Sequence, residues 1–215
     1  MKTALIAGST GLVGKELLKL LLEDQNYSKV ISLVRSSLAV QHPKLHEVII
    51  DFNKLGEYGN YFDGVDHVFC CLGTTMKKAG TEDAFRVVDY DYPVKLAMLA
   101  EEHGCKGYYC ISAMGADSKS KVFYNRVKGT LEKKVLGMKI PTVIFFRPSL
   151  LIGYREETRW LERLAIWLFR SIAFIFWGPL RNFKAIPASK VAKTMLRKAD
   201  EGVQGHHIVM SGEML

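Results

Sequence analysis

Eight residues near the N-terminus, Ala7-Gly8-Ser9-Thr10-Gly11-Leu12-Val13-Gly14, constrain this chain more than any other stretch. They come directly after the apolar run Ala4-Leu5-Ile6-Ala7 and open an apolar helical pattern from Leu12 to Leu22. A backbone without Cβ can turn sharply out of a strand, approach a pyrophosphate closely and pack a helix against a sheet. A helix beginning near Gly11 turns its unpaired N–H groups and positive dipole end towards such phosphates. Glycines at this spacing also arise by chance in a chain with 18 of them in 215 residues, and a purely structural strand-to-helix turn is the competing reading. The strand before and the helix after are the context that a dinucleotide turn requires.

Further short runs repeat the alternation. Lys29 to Arg35, Val48 to Asp51, Val65 to Leu72, Gly107 to Ser112 and Thr142 to Arg147 read as strands two to six, with a short last strand near His207 to Met210. Helical segments separate them: Thr81 to His103 with Pro93 as a kink or boundary and Gly104 as its cap, Val122 to Leu136, and Ser189 to Lys198. Strands alternating with helices predict right-handed βαβ units and an α/β, Rossmann-type, doubly wound parallel sheet. The expectation is one domain over residues 1–215, with about 150–215 forming a small C-terminal substrate or lid region.

Composition excludes several classes. Hydrophobic residues at 48% and charged residues at 24% describe an ordinary folded protein with no low-complexity tract. The formal charge of +8 permits polyanion binding, yet the 30 Lys and Arg are spread along the chain, so nucleic acid is disfavoured. Cys70, Cys71, Cys105 and Cys110 lack metal-ligand spacing and are expected to be buried free thiols, and no metal site is expected. A first strand at the very start leaves no room for a leader peptide, so the expected location is the cytoplasm.

Tyr124 and Lys128 stand four apart and so project from one face of the helix after strand five. An ammonium one turn from a phenol favours the phenolate, lowering the tyrosine pKa and suiting it to proton transfer near neutral pH. Lys128 could also hold a ribose hydroxyl. Alone, such a pair is usually an exposed coincidence; after a glycine-rich turn and five strands it carries weight. Arg35, at the end of strand two, stands where NAD sites place an acid, and a guanidinium there suits a 2′-phosphate, favouring NADP(H), with a solvated surface arginine as the alternative. Asp51 could contact adenine or cap a helix beginning near Lys54.

With these features in place, the chain resembles the atypical branch of the short-chain dehydrogenase/reductase superfamily, and is similar to its Tat-interacting-protein-like NADPH-binding oxidoreductases. The blocks that carry the resemblance include Gly8 to Gly14, Val34-Arg35, Asp51-Phe52, Phe69 to Thr75, Lys78-Ala79-Gly80, Asp89-Tyr90-Asp91-Tyr92, Gly115-Ala116-Asp117, Tyr124 to Gly129 and Phe146-Arg147-Pro148. It implies that Thr10, Gly11, Leu12 and Val13 match the phosphate-turn positions, Arg35 and Ser36 the positions at the end of strand two, and Leu72 and Gly73 the loop beside the cofactor after strand four. It also implies Tyr124 as acid/base, Lys128 as its partner on the ribose, and cofactor contacts at Leu150 and Arg159. The superfamily's serine falls at Ser112 or at the next position, which here is Ala113; Ser112 is the chosen candidate.

The resemblance and the motifs together point to an NADP(H)-dependent oxidoreductase acting on a small carbonyl or alcohol. A non-catalytic NADPH-sensing protein with a protein partner is the main rival, and a sugar-nucleotide epimerase is a weaker one. The aromatic stretch Trp160 to Trp177 is too charged to span a bilayer. It is expected to cover the substrate cleft or a homodimer interface, with a peripheral membrane contact as the alternative. His206 and His207 are expected to be tail residues without a metal role.

Overall fold

The computed structural model describes residues 1–152 and 185–214. Seven strands form one sheet: β1 (Lys2–Ala7), β2 (Tyr27–Val34), β3 (Leu45–Ile49), β4 (His67–Cys70), β5 (Gly107–Ile111), β6 (Thr142–Arg147) and, near the C-terminus, β9 (Gly205–Met210). Their order is β3-β2-β1-β4-β5-β6-β9, and every pairing is parallel. This is the doubly wound Rossmann arrangement predicted from the alternating runs. The order reverses between β1 and β4, which opens a crevice at the carboxyl ends of those strands.

Strand alternation divides the core into two layers. Leu5, Ala7, Ile31, Leu33, Val68, Cys70, Tyr108, Cys110, Val143 and Phe145 face one side, where helices α4 (Tyr92–Glu102) and α5 (Phe123–Val135) cover them. Ala4, Ile6, Val30, Phe69, Tyr109, Ile144 and Phe146 face the other, beneath α1 (Leu12–Glu23) and α6 (Ala188–Asp200). Two short strands, β7 (Leu151–Ile152) and β8 (Ile186–Pro187), pair with each other away from the main sheet. Within residues 150–215, α6 packs on the second core layer and β9 pairs with β6 at the edge of the sheet. The reason is their apolar faces: Val191, Ala192, Met195 and Val209 are all buried.

Several boundaries shift for physical reasons. Asp51, expected at the end of strand three, lies past β3 and caps the 3-10 segment Phe52–Phe62, accepting from the Asn53 backbone N–H at 2.9 Å. The helical stretch expected over 81–103, with Pro93 as a kink or boundary, consists of α3 (Glu82–Arg86), a π turn (Val87–Asp91) and α4, and Pro93 stands at the start of α4. Pro93 has no N–H to continue the regular ladder, and the wider turn ahead of it absorbs the mismatch. Tyr108 of β5 fastens that junction by donating to the Pro93 carbonyl at 2.7 Å. One further helical turn, α2 (Met76–Ala79), is capped by the Thr75 side chain.

At the opposite end of the sheet, His67 is buried, with its Nδ1 2.6 Å from the Tyr27 hydroxyl and its ring edge-on to Tyr109. Burial depresses its pKa from 6.5 to about 4, helped by Lys2 and opposed by Asp66. The unfolded chain therefore takes up a proton from about pH 6.5 downward that the folded protein refuses until near pH 4, so acidification through this window removes stability. Denaturant unfolding should show His67 contributing a loss of about 2 kcal/mol between roughly pH 7 and pH 5. His67→Gln should flatten this part of the pH dependence, and an identical slope in the two proteins would contradict the assignment.

Candidate active site

The glycine turn lies where the crevice begins. Gly8 adopts φ +90°, and a Cβ built there would stand 2.6 Å from the carbonyl carbon of Cys71, so only glycine lets β1 and the exit of β4 come this close. A Cβ on Gly14 would overlap the Gly8 carbonyl oxygen, which seats α1 directly on the turn. The Gly11 N–H donates to Gly8 O at 3.0 Å, closing the loop. Ser9 is buried and its hydroxyl meets that of Ser32 on β2 at 2.8 Å, tying the turn to the neighbouring strand. No side chain caps the start of α1, and no acidic residue occupies its first turn.

The predicted cofactor positions divide by exposure. Thr10, Gly11, Arg35, Ser36, Asp51 and Gly73 are exposed at the carboxyl edge of the sheet, and Leu72 is half-buried there. Val13 is buried in the core with Leu17, so it could serve a ligand only through its backbone. Leu150 is 62% exposed next to the β7–β8 pair, where its carbonyl accepts from Ile186 N–H at 2.9 Å. Arg159 and the Trp160–Trp177 stretch lie outside the described residues.

Tyr124 and Lys128 occupy the first turns of α5, as the spacing predicted, but their surroundings differ from one another. Tyr124 is 37% exposed, its ring packed against Phe85 of α3 with centroids 5.6 Å apart. Lys128 is buried, and its Nζ lies 2.8 Å from Asp89 Oδ1 in the π turn. The other Asp89 oxygen accepts the Thr74 N–H at 2.8 Å, so one carboxylate joins Lys128 to the loop after β4. Gly73 lies against the same group: a Cβ there would be 3.4 Å from Asp89 Oδ1.

This environment corrects one expectation. Burial raises the Tyr124 pKa, Lys128 pulls it down and Asp89 raises it again, with a net shift upward instead of the expected depression. Burial alone would depress Lys128, but Asp89 and Tyr124 outweigh it, so the ammonium is held firmly protonated.

Ser112 is buried, and its hydroxyl donates to Glu132 Oε1 at 2.5 Å. Glu132 in turn receives Arg147 in a two-pronged contact, Nε at 3.0 Å and Nη2 at 2.5 Å. A hydroxyl has one proton to donate, and that of Ser112 is committed here. The structure thus brings together the glycine turn, Leu72-Gly73 and the Tyr124/Lys128 pair, whereas Ser112 belongs to the separate Glu132–Arg147 network. Sequence reasoning missed Asp89, Glu132 and Arg147 as partners. An aspartate inside an apolar helical stretch just before Pro93 was the one available signal for the first.

The chain belongs to the NAD(P)H-binding family, whose model matches residues 8–138, from the glycine turn to just beyond α5. Within that class it is similar to Protein HTATIP2 of Rattus norvegicus, 40% identical over 198 residues that cover 91% of this chain and 80% of the relative. It is also similar to Protein FMP52, mitochondrial, of Coccidioides immitis (strain RS), 33% identical across 95% of this chain and 88% of that protein. Among solved structures, the Bordetella bronchiseptica enzyme WbmH in complex with NAD+ aligns with a TM-score of 0.74 at 15% identity, covering 99% of this chain and 76% of the other. UDP-N-acetylglucosamine 4-epimerase from Bacillus cereus aligns at 0.71 and 16% identity, covering 99% and 79%. These two share the fold. The resemblance to atypical short-chain dehydrogenases is borne out by the relatives and by the sheet. Among the described residues no helix is long and apolar enough to cross a membrane, and none of their His, Cys, Asp or Glu side chains cluster as a metal site.

The buried ion pair yields a stability test. Asp89→Leu leaves a buried ammonium unpaired and should cost about 3–5 kcal/mol in denaturant unfolding, whereas Asp89→Leu with Lys128→Met should recover most of that loss. Equal losses in the single and double variants would show that the two charges do not depend on each other.

Proposed function

We propose that this protein is an NADP(H)-dependent oxidoreductase of the atypical short-chain dehydrogenase type, moving hydride to or from a small carbonyl or alcohol. The observation that carries the reading is the convergence of the Gly8–Gly14 turn, Arg35 and the Tyr124/Lys128 pair on the carboxyl edge of one parallel sheet. These residues fit a dinucleotide. The turn presents backbone where any Cβ would collide, and α1 begins without a side-chain cap or an acidic residue that would compete with an anion.

In this reading the backbone N–H groups of Gly11, Leu12 and Val13 bind phosphate oxygens, and Arg35 with Ser36 holds a 2′-phosphate by charge-assisted hydrogen bonds. Leu72 and Gly73 support the other end beside β4. The bound cofactor supplies or accepts the hydride. Tyr124 donates its phenolic proton to the carbonyl oxygen as that carbon is reduced, and recovers one from solvent before the next turnover. Lys128 carries three ammonium protons, of which one serves Asp89, leaving capacity for a ribose hydroxyl.

A second reading, NADPH sensing without turnover, is favoured by one observation: Ser112 is committed to Glu132 and Ala113 has no hydroxyl to polarise a carbonyl. The decisive measurements are cofactor binding and turnover together. Tyr124→Phe should bind NADPH as the wild type does while losing about 10²–10⁴-fold in carbonyl reduction; unchanged turnover would overturn the catalytic role. A wild type that binds NADPH tightly but consumes none across a broad carbonyl panel would favour sensing. Arg35→Ala should weaken NADP(H) by about tenfold or more with little effect on NAD(H), and equal affinities of the wild type for the two would defeat the NADP assignment.

A further inference from the structure

A carbonyl whose carbon receives a hydride gathers negative charge on its oxygen, and a hydrogen-bond donor aimed at that oxygen lowers the barrier. Ser112 does not supply one, because its proton goes to Glu132, and Ala113 has no hydroxyl. The loop after β4 holds two further hydroxyls, those of Thr74 and Thr75. Thr75 is taken up by the helix that follows: its hydroxyl accepts the Lys78 N–H at 3.2 Å and caps α2.

Thr74 is placed differently. Its backbone N–H donates to one oxygen of Asp89 at 2.8 Å, while the Lys128 ammonium lies 2.8 Å from the other. Thr74 and Lys128 thus stand on the two oxygens of one carboxylate, which is itself 1% exposed. Thr74 is half-buried, and its hydroxyl bonds to no other described residue. No buried side-chain oxygen among the described residues lacks a partner, so this hydroxyl opens to solvent, at the carboxyl end of β4 where the crevice begins.

We infer that Thr74 is a further catalytic residue: its hydroxyl donates a hydrogen bond to the substrate's carbonyl oxygen, the contact that Ser112 and Ala113 leave unfilled. The inference rests on the oxidoreductase reading and adds a second donor to the same site. The carbonyl carbon takes the hydride and its oxygen takes the Tyr124 proton, while the Thr74 proton stays on its own oxygen. The Thr74 bond therefore strengthens as charge develops and is worth most in the transition state. Because the anchor to Asp89 is the backbone N–H, the side chain is left to serve the ligand, and the hydroxyl can be removed without touching that anchor.

Thr74→Val makes this change at nearly constant shape. With para-nitrobenzaldehyde as the probe, kcat should fall about 10²-fold while NADPH affinity is unchanged, and Thr74→Ser, which keeps a donor, should stay within about fivefold of wild type. An undiminished kcat in Thr74→Val overturns the inference. An equal loss in Thr74→Ser overturns it too, since packing and not the hydroxyl is then responsible, as does a fall in NADPH affinity that accounts for the whole loss. A readout that needs no turnover is the infrared carbonyl stretch of isotope-labelled benzamide, which is not reduced, added to each protein with NADPH. The stretch should lie lower in wild type and Thr74→Ser than in Thr74→Val, and the same value in all three overturns the inference. If the wild type reduces no carbonyl, the oxidoreductase reading fails, while the benzamide stretch still decides whether Thr74 donates to a carbonyl.

Discussion

The carbonyl of Cys71 and the α-carbon of Gly8 are so close that no side chain fits between them, and the site depends on this approach. It brings the exits of β1 and β4 together at the point where the strand order reverses. Gly14, equally pressed against Gly8, then fixes where α1 starts and which way its free N–H groups face. A methyl group at either glycine would push the helix or β4 aside and open the crevice that the fold creates.

The second constraint is electrostatic. Burying an ammonium among the thiols of β4 and β5 is costly, and Asp89 offsets that cost with a contact reinforced by the Thr74 N–H. The π turn and Pro93 make this contact geometrically available. One carboxylate therefore connects the lysine of α5, the loop after β4 and the helix between them. Glu132, one turn beyond Lys128, performs a similar service towards Ser112 and Arg147, anchoring α5 to the ends of β5 and β6.

Much of the fold was legible because its signals are local. The short apolar and β-branched runs marked the strands of the main sheet, and the glycine turn marked where the first helix begins. The boundaries drifted where a local rule had two outcomes. Asp51 could contact adenine or cap a helix, and Pro93 could kink a helix or mark its boundary; Asp51 caps the segment beginning at Phe52, and Pro93 stands at the start of α4. In the region after residue 185, α6 buries its apolar face in the core, whereas β9 joins the edge of the sheet with Val209 buried and His206, His207 and Ile208 exposed. Burial of that face and of Val209 depends on β6 and α1, distant in sequence.

For the site, the sequence by itself determined the glycine turn, the basic residue at the end of β2 and the one-turn spacing of Tyr124 and Lys128, because each is a matter of short-range backbone geometry. Tertiary structure alone decided which partner each side chain meets. Lys128 faces Asp89, 39 positions earlier, and Ser112 gives its proton to Glu132, 20 positions later. Burial, with Asp89 beside it, outweighs Lys128 and turns the expected shift of the Tyr124 phenol upward, since an ionisable group answers to the charges and solvent around it in space, which its neighbours in sequence do not disclose.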